Sequence, residues 1–246
     1  MSDVVMVTGA AAGLGREMAL HFLREGWRVA LADLSVAAVQ TTLNEAGEQA
    51  RNGIALGLDI REEAGFSRAL AQVTAHFGEL HALVNNAALT LTTPIMDISV
   101  VEFDRVLTTN LRGTFLGCQT VGRYFAQRGY GRIVNLASLA GQNGGTASGA
   151  HYAASKGGIL TLTKVFARAL AKDGVTVNAI APGPLDLPSV RAVVPEENMP
   201  ALLAMIPVAS LGSPGFVART AALLASRQAE FVTGAAWDIN GGIYMR

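Results

Sequence analysis

The chain has 246 residues, half of them apolar, with 19 basic residues balanced by 19 acidic ones. That length and apolar content suit one large core and a single α/β domain of roughly 200–250 residues, and the absence of a basic stripe argues against nucleic acid or an anionic membrane as partner. Mean hydropathy is +0.34, yet charge or glycine breaks every apolar run well short of the about 18 residues a membrane span needs.

In chain order, residues 4–8 form a buried-strand candidate, ending in the glycine-rich stretch Gly9, Gly13 and Gly15. Residues 16–25 follow as a helix closed by Gly26, then a strand at 27–33 and a helix at 35–49. The pattern repeats with a strand at 54–59, a helix at 62–77 closed by Gly78, and a strand at 82–85. Ser99 and Glu102 have the spacing of a capping box and open another helix. A long helix at 111–127, a strand at 132–137, a helix at 152–172 and a strand at 175–181 come next. Ser213 followed by Pro214 marks the start of a helix over 215–226, and 236–239 is a last short strand. The repeated βα unit implies a parallel sheet with helices on both faces and right-handed crossovers. Residues 182–214 hold seven of the eight prolines. Regular structure is not expected there, and an irregular stretch of that length reads as a substrate lid, at about 184–212.

The glycines lie between a strand and a helix. They permit a tight turn and let a diphosphate approach the helix N-terminus, where free N–H groups and the dipole favour anions. The spacing, G-x-x-x-G-x-G, differs from the G-x-G-x-x-G dinucleotide fingerprint. Asp33 ends the second strand at roughly the 20-residue separation expected of a ribose-binding acid. Its carboxylate suits two ribose hydroxyls and would repel a 2′-phosphate. Leu34 follows it, with no arginine alongside, so the expected cofactor is NAD rather than NADP.

Tyr152 and Lys156 are four apart and share a helical face. An ammonium held close to a phenol is expected to lower its pKa from about 10, and a phenol tuned in this way exchanges a proton with an alcohol or a carbonyl. Ser138 follows a predicted strand, at the carboxyl edge where open parallel sheets bind ligands. His21, His76, His81 and His151 are scattered and without ligand spacing, so no metal site is expected. Next to Tyr152, His151 reads as a pocket-edge, surface or packing residue. Cys118, the only cysteine, can form no internal disulfide and reads as core. The chain enters its first strand without a charged leader, so no signal peptide is expected and a cytoplasmic location is the default.

Taken together, Thr8-Gly9-x-x-x-Gly13-x-Gly15, Asn85-Asn86-Ala87, Asn110, Ser138, Tyr152-x-x-x-Lys156 and Pro182-Gly183 resemble the short-chain dehydrogenase/reductase family over essentially the whole chain. The resemblance implies a Rossmann-like, doubly wound sheet of seven parallel strands in the order 3-2-1-4-5-6-7, and a homotetramer. It implies that Tyr152 is the general acid/base and that Lys156 holds the nicotinamide ribose and lowers the tyrosine pKa. It implies that Ser138 orients the substrate oxygen and that Asn110 supports a water linking Lys156 to solvent. Gly9, Gly13, Leu14, Gly15, Asp33 and Leu34 would hold the adenosine and diphosphate. Asp59 and Ile60 would flank the adenine, Asn86 and Ala87 would lie near the ribose, and Pro182, Gly183 and Leu185 would lie beside the nicotinamide.

The chain departs from the family at three positions. Ala88 stands where glycine is usual, Leu187 where a threonine usually meets the carboxamide, and Ala12 where NADP users often carry a basic residue. The leading functional reading is hydride transfer between NAD(H) and a small-molecule secondary alcohol or ketone, under an apolar lid that includes Leu187, Val193, Val194, Leu202 and Leu203. The alternatives are a 3-oxoacyl thioester reductase and a non-catalytic NAD(H)-binding sensor or scaffold. Arg191 reads as a solvated lid charge, with pairing to a substrate carboxylate as the other option.

Overall fold

A computed structural model describes residues 2–145 and 149–246, without the side chains of Ser189 and Val193, so Val193 as a lid residue lies outside the described side chains. Seven strands form one sheet: β1 (Val4–Thr8), β2 (Arg28–Asp33), β3 (Gly53–Gly57), β4 (Ala82–Asn85), β5 (Gly131–Leu136), β6 (Val175–Pro182) and β7 (Ala236–Ile239). Their order is β3-β2-β1-β4-β5-β6-β7, with every pairing parallel.

The strands read as continuous apolar runs because both faces of the sheet are covered. In β1 the side chains alternate across the pleat. Val5 and Val7 join a core with α1 (Gly13–Arg24), α2 (Val36–Asn44) and α10 (Pro214–Ala225), through Phe22, Leu43 and Leu224. Val4 and Met6 join the opposite core with α3 (Glu63–Phe77) and α5 (Gly113–Arg128), through Phe66 and Phe125. The helix ends follow their capping residues. Ser35, Ser99 and Ser213 each accept a backbone N–H three residues on, and Gly78 closes α3 at φ +85°, a conformation that costs glycine little.

Three differences from the sequence reading bear on the site. Helix α1 begins at Gly13, not at residue 16, so the glycine turn is itself the first turn of the helix. Helix α4 (Val100–Leu107) runs into α5 through a π-turn over Thr108–Arg112, which places Asn110 inside the core. The proline-rich segment is not irregular throughout. It contains α8 (Pro188–Val193) and α9 (Met199–Ala204), each with a proline in its first turn, where a missing N–H loses no helical hydrogen bond. Between β5 and β6 lie the short α6 (Ala140–Asn143) and the long α7 (Ala150–Leu170). The segment is closed at its base: Gly212 N donates to Pro184 O and Asp186 N to Gly212 O, both at 2.9 Å.

Candidate active site

The carboxyl ends of β1, β2, β4, β5 and β6 bring the expected residues to one edge of the sheet. At β1, Gly9 has φ +69° and Gly13 φ +57°. A Cβ on Gly9 would lie 2.8 Å from Ala87 Cα, and one on Gly15 would collide with the Gly9 carbonyl, whereas the space beside Gly13 is open. The first turn of α1 has no side-chain cap and no acidic residue. Its N–H groups and open flank therefore suit a diphosphate, and the residues present fit a dinucleotide. Leu14 packs against the core behind this turn.

Asp33 has a structural role beside the one expected of it from the sequence. Its carboxylate accepts Ala11 N at 3.2 Å and Leu34 N at 2.7 Å, tying the turn to the end of β2. The guanidinium of Arg16 is paired with Glu45 rather than with Asp33. Leu34 leaves its side chain exposed at the rim. Asp59 is held by Arg61, whose Nε lies 2.9 Å from Oδ1. That hydrogen bond sets its carboxyl below the usual range. Ile60 is buried and packs on Gly113 in the second core, so only its backbone can face an adenine. Asn86 turns inward: its Nδ2 donates to Thr8 O at 2.9 Å and to Gly9 O at 3.3 Å. The N–H groups of Asn86 and Ala87 share the Thr8 hydroxyl as acceptor. Asn86 therefore braces the glycine turn, a role the sequence did not suggest.

Tyr152 and Lys156 lie on α7, one turn apart, with Nζ 5.6 Å from the phenol ring centroid. The side chains of Ser138 and Thr90 lie beside the Tyr152 phenol and act on it. Ser138 Oγ also accepts Ala140 N at 3.1 Å, which fixes it at the start of α6. The same loop is anchored to the end of β6, for Leu139 N donates to Pro182 O at 2.9 Å. Gly183 N donates to Ile239 O, and a Cβ at Gly183 would lie 2.9 Å from Asn240 Cα. Leu185 is buried, and Leu187 packs against the first core rather than under the lid. Arg191 Nε is paired with Asp186 at 2.7 Å on the exposed lid. Ala88 is exposed.

The expected lowering of the tyrosine pKa is not what the structure shows. Burial pushes the Tyr152 phenol up, and the neighbouring Ser138 and Thr90 side chains only partly oppose this. Burial also pushes the Lys156 ammonium down to about 8. Desolvation disfavours the charged form of each, and Lys156 spends its Nζ on Leu136 O at 2.6 Å. Asn110 is likewise engaged. Its Oδ1 accepts Leu89 N at 2.7 Å, and its Nδ2 donates to Leu89 O at 2.9 Å and Ser155 Oγ at 3.0 Å. The amide thus holds the loop after β4 against α7.

Four residues beside the site were missed. Thr90 and Ser155 carry no sequence signal beyond being hydroxyl side chains near the motifs. Glu102 was noticed only as part of a capping box. His151 was read as an edge, surface or packing residue but is fully buried, with Nε2 2.8 Å from Glu102 Oε1.

The likeness to known proteins covers the whole of this architecture. Residues 9–244 match the family profile described as enoyl-(acyl carrier protein) reductase. The chain is 34% identical over 246 residues to the 3-oxoacyl-(acyl-carrier-protein) reductase of Staphylococcus aureus, covering 100% of this chain and 99% of that one. It is 34% identical over 250 residues to the enzyme of that name from Escherichia coli K12, covering 98% and 97%. A crystal structure of a short chain dehydrogenase from Bacillus anthracis superposes with a TM-score of 0.91 at 30% identity, over 99% of this chain and 97% of that one. With the seven-stranded sheet, the glycine turn and the Ser138, Tyr152 and Lys156 constellation, these likenesses place the chain in the short-chain dehydrogenase/reductase family of oxidoreductases, which work with a nicotinamide cofactor.

Proposed function

We propose that this oxidoreductase uses NAD(H) and interconverts a secondary alcohol with its ketone. The observation that carries the cofactor choice is Asp33. A half-buried carboxylate closes the adenosine end of the cleft, and Arg16, the basic residue of the glycine turn, is paired with Glu45. A ribose 2′-hydroxyl can donate to that carboxylate, while a 2′-phosphate would meet like charge.

The nicotinamide, when bound, supplies the hydride acceptor or donor. Tyr152 handles the proton: as phenol it protonates the oxygen of a ketone undergoing reduction, and as phenolate it removes the proton of an alcohol undergoing oxidation. Ser138, on the same phenol, offers a second hydrogen bond to the substrate oxygen and fixes where it sits. Lys156 keeps a donor beneath the tyrosine, and its buried stem holds α7 against the end of β5. Asn110, through Leu89 and Ser155, fixes the loop that carries Thr90 against the phenol.

A second reading is favoured by the full-length 34% identity to reductases named for 3-oxoacyl groups on acyl carrier protein. A 3-oxoacyl thioester is itself a ketone, so the two readings share the chemistry at Tyr152 and differ in what the lid accommodates. Assembly as a homotetramer belongs to the same proposal and is tested by light scattering. The functional test is a steady-state screen of secondary alcohols with NAD, and of simple ketones and an acetoacetyl thioester with NADH and NADPH. The expected result is turnover with a clear preference for NAD(H). Preference for NADPH would overturn the cofactor argument. Tight NADH binding without turnover of any substrate would favour a sensor.

A further inference from the structure

His151 immediately precedes the catalytic tyrosine, is fully buried, and uses both ring nitrogens. Its Nδ1 accepts the backbone N–H of Tyr152 at 2.9 Å, an N–H that also donates to Gly149 O at 3.0 Å. An Nδ1 that accepts carries no proton, so the ring hydrogen sits on Nε2 and is donated to Glu102. The partner is on another element. Glu102 lies in the first turn of α4, and its backbone N is capped by Ser99 Oγ at 3.1 Å. Thr93 and His151 beside it hold its carboxylate below the usual carboxylate range. Arg105, also on α4, is the cation that acts on Glu102 from behind. On the loop side, Gly149 N donates to Leu91 O at 2.9 Å. Gly149, at the N-terminus of α7, offers no side-chain cap, and a Cβ on it would collide with the His151 ring.

We propose that His151 is a positioning residue for Tyr152, which it ties through Glu102 to α4 and to the loop over Leu89–Thr93. A satisfied core histidine would need only packing and some partner for each nitrogen. This one grips the amide of the residue whose phenol moves the proton. Its anchor, Glu102, has Thr93 beside it, in the loop that carries Thr90 and that Gly149 N grips at Leu91 O. One carboxylate thus sets the spacing between the catalytic helix and the substrate side of the cleft. Small displacements of a reacting group carry large rate penalties, up to about a hundredfold for roughly 1 Å. Loss of the tie should therefore lower kcat while the glycine turn, and with it cofactor affinity, stays as it was.

The proposal rests on Tyr152 being the acid/base, and the test separates the two. His151→Leu keeps apolar volume and removes the acceptor. His151→Asn restores a short acceptor beside the Tyr152 N–H but cannot reach Glu102. Glu102→Ala removes the anchor. With whichever substrate of the screen the wild type turns over, H151L is expected to lower kcat about tenfold or more, with the NADH dissociation constant from fluorescence titration within about twofold of wild type. H151N is expected to recover at most part of that loss, because the Tyr152 N–H regains an acceptor while the tie to Glu102 stays broken. E102A is expected to lower kcat in the wild type and to add nothing in H151N. Wild-type kcat in H151L, in H151N or in E102A overturns the proposal; if H151L fails to fold, the H151N and E102A measurements decide. A wild type without turnover, or a Tyr152→Phe variant with full turnover, sinks the parent reading and this proposal with it. An indifferent H151L beside an inactive Tyr152→Phe sinks this one alone.

Discussion

The Asp33 carboxylate reaches from the end of β2 to the backbone N–H of Ala11, 3.2 Å away in the glycine turn. The residue proposed to discriminate between cofactors also braces the loop that would hold their diphosphate. Asp33→Ala is therefore expected to have two effects. The ratio of kcat/KM for NADH over NADPH should fall about 10–100-fold, since a hydrogen bond to a charged group is worth about 1.5–3 kcal/mol. Affinity for NADH should also weaken, because Ala11 loses an acceptor. Unchanged selectivity in steady-state kinetics would remove Asp33 from the specificity argument.

Tyr152→Phe should abolish turnover while leaving NADH binding intact, since the phenol faces Ser138 and Thr90 and not the glycine turn. Burial raises the pKa of this phenol, so it stays protonated through neutral pH. In the cofactor-free protein, the difference in tyrosinate absorption between wild type and Tyr152→Phe should develop only above a pH of about 10. A difference already present near neutrality would mean that Lys156 outweighs desolvation.

Lys156 should leave a mark on stability. A lysine whose folded pKa of about 8 lies below its ordinary value of 10.5 holds its proton less well when folded. The penalty is fully present below about 8 and fades as pH rises toward the unfolded value. Its size at neutral pH is on the order of 3 kcal/mol. Lys156→Met is thus expected to melt above the wild type at neutral pH in calorimetry, with the gap narrowing as the buffer is made alkaline. A pH-independent gap would show that the ammonium is not desolvated.

Asn110→Ala removes three hydrogen bonds and leaves both polar groups of the Leu89 backbone without their partner. The expected cost is about 2–4 kcal/mol, seen as a fall in Tm of about 5 °C or more. A Tm unchanged by the substitution would mean that the loop over Leu89–Thr93 finds other partners.

Most of the architecture was legible before any coordinates. Strand and helix positions follow from local patterns: apolar runs of strand length, serines at helix starts, and Gly26 and Gly78 at helix ends. The glycine turn and the Tyr152–Lys156 spacing are likewise local, for a turn and a helical face are defined within a few residues. The misplaced elements were those without a local signature. A π-turn at Thr108–Arg112 differs from an α-helix only in which carbonyl an amide chooses. Two prolines that read as helix breakers instead sit in the first turns of α8 and α9.

The sequence by itself determined the parallel α/β fold, the edge of the sheet where the site lies, and the residue types that gather there. Only the tertiary structure decided their states. Tyr152 and Lys156 are tuned by burial, which depends on everything packed around them and not on their spacing of four. Asn86 braces Gly9 from 77 residues away, and Glu102 reaches His151 from 49 residues away. Desolvation and long-range hydrogen bonds are properties of neighbours in space, and a chain names those neighbours only once the sheet has brought its carboxyl ends together.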